Sequence, residues 1–103
     1  MIASYTDPKV PIMVKLNQCF TISLESNPTT GYMWNPKYDS SVIEQVQPRK
    51  FDSQSSLIGG GGVESFEFCA RRSGDTVIEM KYKRVWEETP IRIEKFTVNI
   101  QTD

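Results

Sequence analysis

Few side chains in this sequence of 103 residues could take part in catalysis, and they do not form a catalytic pattern. The chain contains no histidine, so it lacks the commonest general base and the commonest zinc ligand. The acidic pair Glu87-Glu88 alternates sides on a strand or lies in a solvated turn, unlike the facing carboxylates of a two-acid mechanism. The run Gly59-Gly60-Gly61-Gly62 precedes Val63 and a strand, whereas a phosphate-binding loop continues with Lys-Ser/Thr and a helix. The sequence therefore predicts a protein that is not an enzyme.

The two cysteines, Cys19 and Cys69, are too few for a disulfide framework and too far apart in sequence for a metal knuckle. Each alternates with the large apolar residues of its segment, which places it on the less apolar face of a strand. We therefore expect free thiols, with pairing across the two layers of a sandwich as the alternative. The sequence indicates no cofactor and no metal.

Charge and hydropathy exclude two classes of partner. Lys and Arg total 12 and Asp and Glu total 13, and the net charge of -1 provides no field for binding nucleic acid. Apolar runs such as residues 11–14 are far shorter than the roughly 20 residues that cross a bilayer, so no membrane partner is expected. Free thiols and the lack of a basic-then-apolar leader favour the cytoplasm, while a lysosomal or secretory route stays open if a signal was removed.

A turn-forming run, Asn27-Pro28-Thr29-Thr30-Gly31, has the residue types of a stiff exposed loop. Pro28 fixes its own φ, and Gly31 permits backbone angles that other residues avoid. The run passes directly into Tyr32-Met33-Trp34, where we expect Trp34 to be buried and to anchor the base of the loop. A rigid scaffold that fixes an exposed loop is typical of binding sites.

Two further segments have compositions that favour protein recognition. Four consecutive glycines at 59–62 cost backbone entropy, so they are disfavoured unless chain reversal or a close backbone approach requires them. A strand edge without side chains could pair with an extended partner, and a flexible hairpin tip is the alternative. Arg84 and Trp86 belong to the residue types most enriched at binding hot spots, although Trp86 could instead close the end of the core.

The elements that must position these segments are strands. Apolar residues recur with period two at 20–24, 66–68 and 78–82, and no segment has a convincing helical period. Further strand candidates are residues 10–16, 32–34, 42–46 and 91–100. About seven short strands separated by turn signals predict an all-β antiparallel β-sandwich formed by a single domain, residues 1–103. The three segments would then meet at one end of it.

The last strand candidate changes its alternation phase. Ile91 and Ile93 share one phase, whereas the apolar residues within 96–100 share the other. One additional residue near Glu94-Lys95 would reset the alternation, so we predict a β-bulge there.

The three segments together resemble the chagasin-like inhibitors of papain-family cysteine proteases. The resemblance rests on three motifs in the family's order, which are Asn27-Pro28-Thr29-Thr30-Gly31-Tyr32-Met33-Trp34, the Gly-x-Gly-Gly spacing at Gly59, Gly61 and Gly62, and Arg84-x-Trp86. The family usually carries Arg-Pro-Trp in the third motif, and this chain has Val85 in place of the proline. These motifs span most of the chain.

The resemblance implies an immunoglobulin-like sandwich whose three loops form a wedge that enters the protease cleft. Residues 27–31, the central loop, would lie over the catalytic cysteine with Thr29 and Thr30 nearest to it. Residues 59–62, the glycine segment, would run along one wall of the cleft as a substrate strand does. The third motif would grip the other wall. Inhibition would be tight, reversible and non-covalent.

The resemblance also implies the set of contact residues and the state of the free protein. The implied protease-binding residues are Asn27, Pro28, Thr29, Thr30, Gly31, Gly59, Gly60, Gly61, Gly62, Arg84 and Trp86. The partner would be a papain-like cysteine protease, and the free inhibitor would be a monomer. The competing interpretation is an immunoglobulin-like adhesion or carbohydrate-binding module in which Trp86 stacks on sugar rings.

Overall fold

The structure is a computed structural model that describes residues 3–53 and 61–102. Nearly every element in these ranges is a β-strand, as the period-two pattern predicts. The strands are β1 (Ala3–Tyr5), β2 (Ile12–Lys15), β3 (Cys19–Ser26), β4 (Tyr32–Lys37), β5 (Ile43–Gln45), β6 (Lys50–Ser53), β7 (Gly62–Ala70), β8 (Gly74–Arg84) and β9 (Arg92–Gln101). A single 3₁₀ turn, Pro28–Thr30, lies between β3 and β4.

The strands form two sheets that face each other. One sheet has the order β1-β3-β7-β5, with β6 also paired to β7, and the other has the order β2-β9-β8-β4. The long strands pair antiparallel, so the predicted all-β sandwich is confirmed. The short strands β1 and β2 add parallel to β3 and β9, which makes both sheets mixed.

Side chains from both sheets alternate inward and form one hydrophobic core, because each strand presents every second residue to the facing sheet. The buried core residues are Ile12, Val14, Phe20, Ile22, Leu24, Trp34, Ile43, Phe66, Phe68, Ala70, Ile78, Met80, Phe96, Val98 and Ile100. Trp34, at 1% exposure, is the largest of them and confirms the expected buried anchor at the start of β4.

The predicted β-bulge near Glu94-Lys95 is wrong. Strands β8 and β9 pair without interruption from Gly74 opposite Ile100 to Tyr82 opposite Arg92. Ile93 lies on the outward face with 48% exposure. The phase change in the sequence therefore reflects an exposed apolar residue on a regular strand, and no residue is inserted.

Cys19 and Cys69 form a disulfide, so the expectation of free thiols is wrong. The two residues are register partners on β3 and β7, with their Cα atoms 4.0 Å apart, and the bond joins neighbours within one sheet rather than the two layers. Both alternate with inward-facing apolar residues, as predicted. Because both cysteines lie on the face opposite to the core at paired positions, their sulfur atoms meet. The argument that free thiols gave for the cytoplasm is thereby removed.

Glu64 and Trp34 connect the two sheets near the end where β3 and β4 meet. Glu64 faces inward from β7 at 1% exposure, and its carboxylate accepts the backbone N–H of Trp34 at 3.1 Å. Arg49 forms an ion pair with the same carboxylate at 2.8 Å. The Trp34 indole N–H donates to the carbonyl oxygen of Glu25 on β3 at 2.9 Å. A buried carboxylate needs such partners, since leaving one unpaired is strongly destabilising.

The disulfide is expected to stabilise the fold without shaping the loop end. Replacing Cys19 and Cys69 with Ser should lower the free energy of unfolding by about 2–4 kcal/mol, because the bond links residues 50 apart in sequence and restricts the unfolded chain. Urea denaturation measures this change. Ser23→Ala is the control: it removes the 3.1 Å contact with the Ser65 hydroxyl between the same two strands and should cost about 1 kcal/mol. An unchanged denaturation midpoint in the cysteine variant would contradict the prediction.

Trp34→Ala is expected to lower the free energy of unfolding by about 3–5 kcal/mol, since it removes a large buried ring and its hydrogen bond to Glu25. Thermal and chemical denaturation measure the loss. Met13→Ala removes an apolar side chain from the outward face and should change stability by less than about 0.5 kcal/mol. Equal effects of the two substitutions would show that Trp34 is not the anchor.

Candidate functional site

The described parts of the three segments singled out from the sequence converge at one end of the sandwich. Strands β4 and β8 pair up to Tyr32 opposite Arg84, so the chain before Tyr32 and the chain after Arg84 leave that sheet side by side. In the facing sheet, β3 ends at Ser26 opposite Gly62, where β7 begins. Residues 85–91, between β8 and β9, are the third loop. We call this whole region of the sandwich the loop end.

The central loop is closed by its own hydrogen bonds. The Asn27 carbonyl accepts the Thr30 N–H at 3.1 Å and the Thr30 hydroxyl at 2.7 Å. The Thr29 hydroxyl donates to the Asn27 side-chain oxygen at 2.5 Å. Thr29 and Thr30 nevertheless remain exposed. The loop therefore has a defined shape in the free protein while its tip is accessible to a partner.

Gly31 meets two constraints that disfavour other residue types. Its φ of +86° lies in the left-handed region, which a Cβ atom disfavours. A Cβ atom there would also lie 2.8 Å from the Trp86 ring atom Cη2. The central loop and the third loop are thus in direct contact at Gly31.

Tyr82 supports the start of the central loop, a role that the sequence analysis did not predict. Its hydroxyl oxygen accepts the Asn27 backbone N–H at 3.1 Å. Its ring lies 4.7 Å from the Trp34 ring and 5.4 Å from the Tyr32 ring, measured between centroids. The signal in the sequence was its position two residues before Arg84, which places both side chains on one face of β8.

Arg84 and Trp86 contact the central loop at its last residues, Thr30 and Gly31. The Arg84 Nε–H donates to the Thr30 carbonyl oxygen at 3.1 Å, and the guanidinium carbon lies 4.4 Å from the centre of the Tyr32 ring. Trp86 is 69% exposed, which confirms its predicted place outside the core. Val85, where the family usually has proline, is 84% exposed.

The glycine segment is described only at Gly61 and Gly62, and Gly59 and Gly60 lie outside the described residues. Gly62 belongs to β7 and pairs with Ser26 on one side and Ser53 on the other, so its backbone is not a free strand edge. A Cβ atom on Gly62 would lie 2.3 Å from the Asp52 carbonyl oxygen. This glycine is therefore required by close strand packing.

An open groove with a volume of about 410 Å³ lies between the central loop and the glycine segment. Its walls are formed by Glu25, Ser26, Asn27, Gly61, Gly62, Val63, Tyr82 and Arg92. The central loop thus contacts the third loop directly, and it faces Gly61 and Gly62 across this groove.

The groups exposed at the loop end suit recognition better than catalysis. They comprise the Thr29 and Thr30 side chains and the indole ring of Trp86. Within residues 3–53 and 61–102, no three His, Cys, Asp or Glu side chains are placed to hold a metal ion. The same part of the chain includes no helix with the length and apolarity to cross a membrane.

Known proteins resemble this chain along almost its whole length. Residues 13–100 match the family described as "Chagasin family peptidase inhibitor I42". Chagasin of Trypanosoma cruzi is 28% identical over 97 residues, covering 89% of this chain and 88% of that protein. The cysteine protease inhibitor EhICP2 of Entamoeba histolytica has a TM-score of 0.83 at 24% identity, over 97% of this chain and 95% of that one. PbICP-C, solved in complex with falcipain-2, has a TM-score of 0.55 at 16% identity, over 100% and 92%.

These similarities settle the fold and the class of protein. The structural neighbours confirm the expected immunoglobulin-like sandwich. The matched family consists of peptidase inhibitors, in agreement with the prediction that the chain is not an enzyme, and the adhesion or carbohydrate-binding alternative gains no support. The matched residues include the central loop and Arg84-x-Trp86, and the chain belongs to the chagasin family of peptidase inhibitors.

Proposed function

We propose that this chain is a reversible, tight-binding inhibitor of papain-like cysteine proteases that blocks the active-site cleft with its loop end. The observation that carries the proposal is the central loop, whose shape is fixed by internal hydrogen bonds while Thr29 and Thr30 stay exposed. Membership of a peptidase inhibitor family supports it, as does the shared fold of EhICP2, a cysteine protease inhibitor.

In this proposal each part of the loop end meets a different part of the cleft. The central loop enters over the catalytic cysteine with Thr29 and Thr30 nearest to it. The glycine segment lies along one wall, and the exposed indole of Trp86 covers the other wall with a large apolar surface. The free inhibitor is a monomer.

The proposed inhibition is strong because the loop is ordered before binding and reversible because no covalent bond forms. A loop that already has its bound shape loses little conformational entropy on association. Its peptide bonds resist cleavage as long as they are held away from the geometry in which the thiolate can attack. Cys19 and Cys69 are bonded to each other, so neither offers a thiol to the enzyme.

Titration of the purified protein into a papain-like protease of known active-site concentration tests the proposal. We expect stoichiometric loss of hydrolysis of a fluorogenic peptide, recovery of activity after dissociation of the complex, and an uncut inhibitor by mass spectrometry. A trypsin-like serine protease, whose cleft has a different shape, is the control and should keep full activity. Absence of inhibition at micromolar concentration across several papain-like proteases would refute the function.

Trp86→Ala separates a binding role from a structural role for this ring. Because the ring is largely exposed, the melting temperature should change little. The inhibition constant should rise by an amount equivalent to about 2 kcal/mol, or roughly 30-fold. Val77→Ala, which removes another exposed apolar side chain but lies on the outward face of β8, should leave inhibition unchanged. A Trp86 variant that is destabilised yet inhibits fully once folded would remove the third loop from the contact surface.

A further inference from the structure

Arg84 is engaged within the protein, where the family resemblance implied a contact with the protease. Its Nε–H donates to the Thr30 carbonyl oxygen at 3.1 Å, and its guanidinium carbon lies 4.4 Å from the centre of the Tyr32 ring. Its Nη1 atom lies 3.7 Å from a carboxylate oxygen of Glu87. To grip a protease directly, the guanidinium would first have to give up these contacts.

We propose that Arg84 is a positioning residue that holds the Thr30 carbonyl and so orients the tip of the central loop for entry into the cleft. This inference rests on the proposed function of the loop end. Arg84 acts through the central loop, and the protease contacts on that side come from Trp86. The central loop and the third loop then form one preorganised unit.

The Thr30 carbonyl is a group that needs such a donor. Thr30 is the last residue of the 3₁₀ turn, and Gly31 turns the chain away with a positive φ. The final carbonyls of a helical turn have no partner within the turn, and a cationic donor satisfies them favourably. Arg84 supplies that donor from the opposite position on the neighbouring strand, because Tyr32 and Arg84 are register partners.

The contacts also explain why this residue is an arginine. The planar guanidinium donates from its edge to Thr30 while its face lies over Tyr32, and the compact ammonium group of lysine cannot do both. Tyr32 in turn stacks on Tyr82, whose hydroxyl accepts the Asn27 N–H. Both ends of the central loop are therefore held by one set of contacts, at Asn27 through Tyr82 and at Thr30 through Arg84.

A double-mutant cycle distinguishes positioning from direct contact. Arg84→Met and Thr29→Ala are measured singly and together as inhibition constants against the protease used above. We expect Arg84→Met to weaken inhibition about tenfold or more, since it removes a charge-assisted hydrogen bond. Thr29→Ala should cost much less in the Arg84→Met background than in the parent, because the tip is then no longer held in place.

Matched variants isolate the cause. Arg84→Lys keeps the charge and should recover little of the lost inhibition. Arg71→Met is the control. It removes an exposed ion pair in which Arg71 lies 2.8 Å from Glu44, just beyond the end of β7 that is opposite to the loop end. It should leave inhibition within about twofold. The hydrogen exchange of residues 27–32 in the free protein gives a readout that needs no protease. Exchange should accelerate in both Arg84 variants and remain unchanged in Arg71→Met.

The outcomes separate this inference from the proposed function. Non-additive costs together with faster exchange support the positioning role. Additive costs in the cycle, full recovery by Arg84→Lys, or unchanged exchange in the free protein would each overturn it while leaving the inhibitor function intact. If the parent protein inhibits no papain-like protease, the proposed function is overturned. The claim that Arg84 orients the loop for inhibition then fails with it, while the exchange data still report whether Arg84 holds the loop in the free protein. If Arg84→Met lowers the melting temperature, Arg84→Lys takes its place in the cycle.

Discussion

The contact between Trp34 and Glu64 determines how the two sheets are joined at the end that carries the loops. Burying the Glu64 carboxylate costs free energy, which the hydrogen bond from the Trp34 N–H and the ion pair with Arg49 offset. The Trp34 indole is bonded to the facing sheet at Glu25 and packs against Tyr82. The Tyr82 hydroxyl accepts the Asn27 N–H, so the position of this ring fixes the start of the central loop. The rigidity of an exposed loop therefore originates in the core.

Much of the fold followed from period-two patterning, which identifies strands and the face that each strand buries. Pairing and register do not follow from it, because they depend on which distant segments become neighbours. Strand phase gave the correct face for Cys19 and Cys69, yet the disulfide depends on the β3–β7 register. In the same way, an outward Ile93 imitates the phase change of a bulge, and only the continuous β8–β9 pairing distinguishes the two. The parallel additions of β1 and β2 have no local signal.

The candidate site was predictable at the level of segments and less so at the level of contacts. Turn residues, glycines and an exposed Trp86 are visible in the sequence because each has a strong local or compositional preference. The hydrogen bond from Arg84 to Thr30 depends on the placement of Tyr32 opposite Arg84, which is a property of the folded sheet. The support of Asn27 by Tyr82 depends on a contact between residues 55 apart.

Strand β4 lies at the edge of its sheet, and edges with free N–H groups can recruit strands from other chains. Here the three backbone positions that alternate toward that edge are unavailable as donors. The Tyr32 N–H points to the Thr30 hydroxyl, the Trp34 N–H is bonded to Glu64, and residue 36 is a proline, which has no N–H. The interactions that stiffen the base of the loop thus also disfavour pairing of this edge with a strand from another chain. The exposed Trp86 indole beside that edge therefore stays available for a cleft, because the neighbouring strand offers few backbone donors for pairing with a second copy.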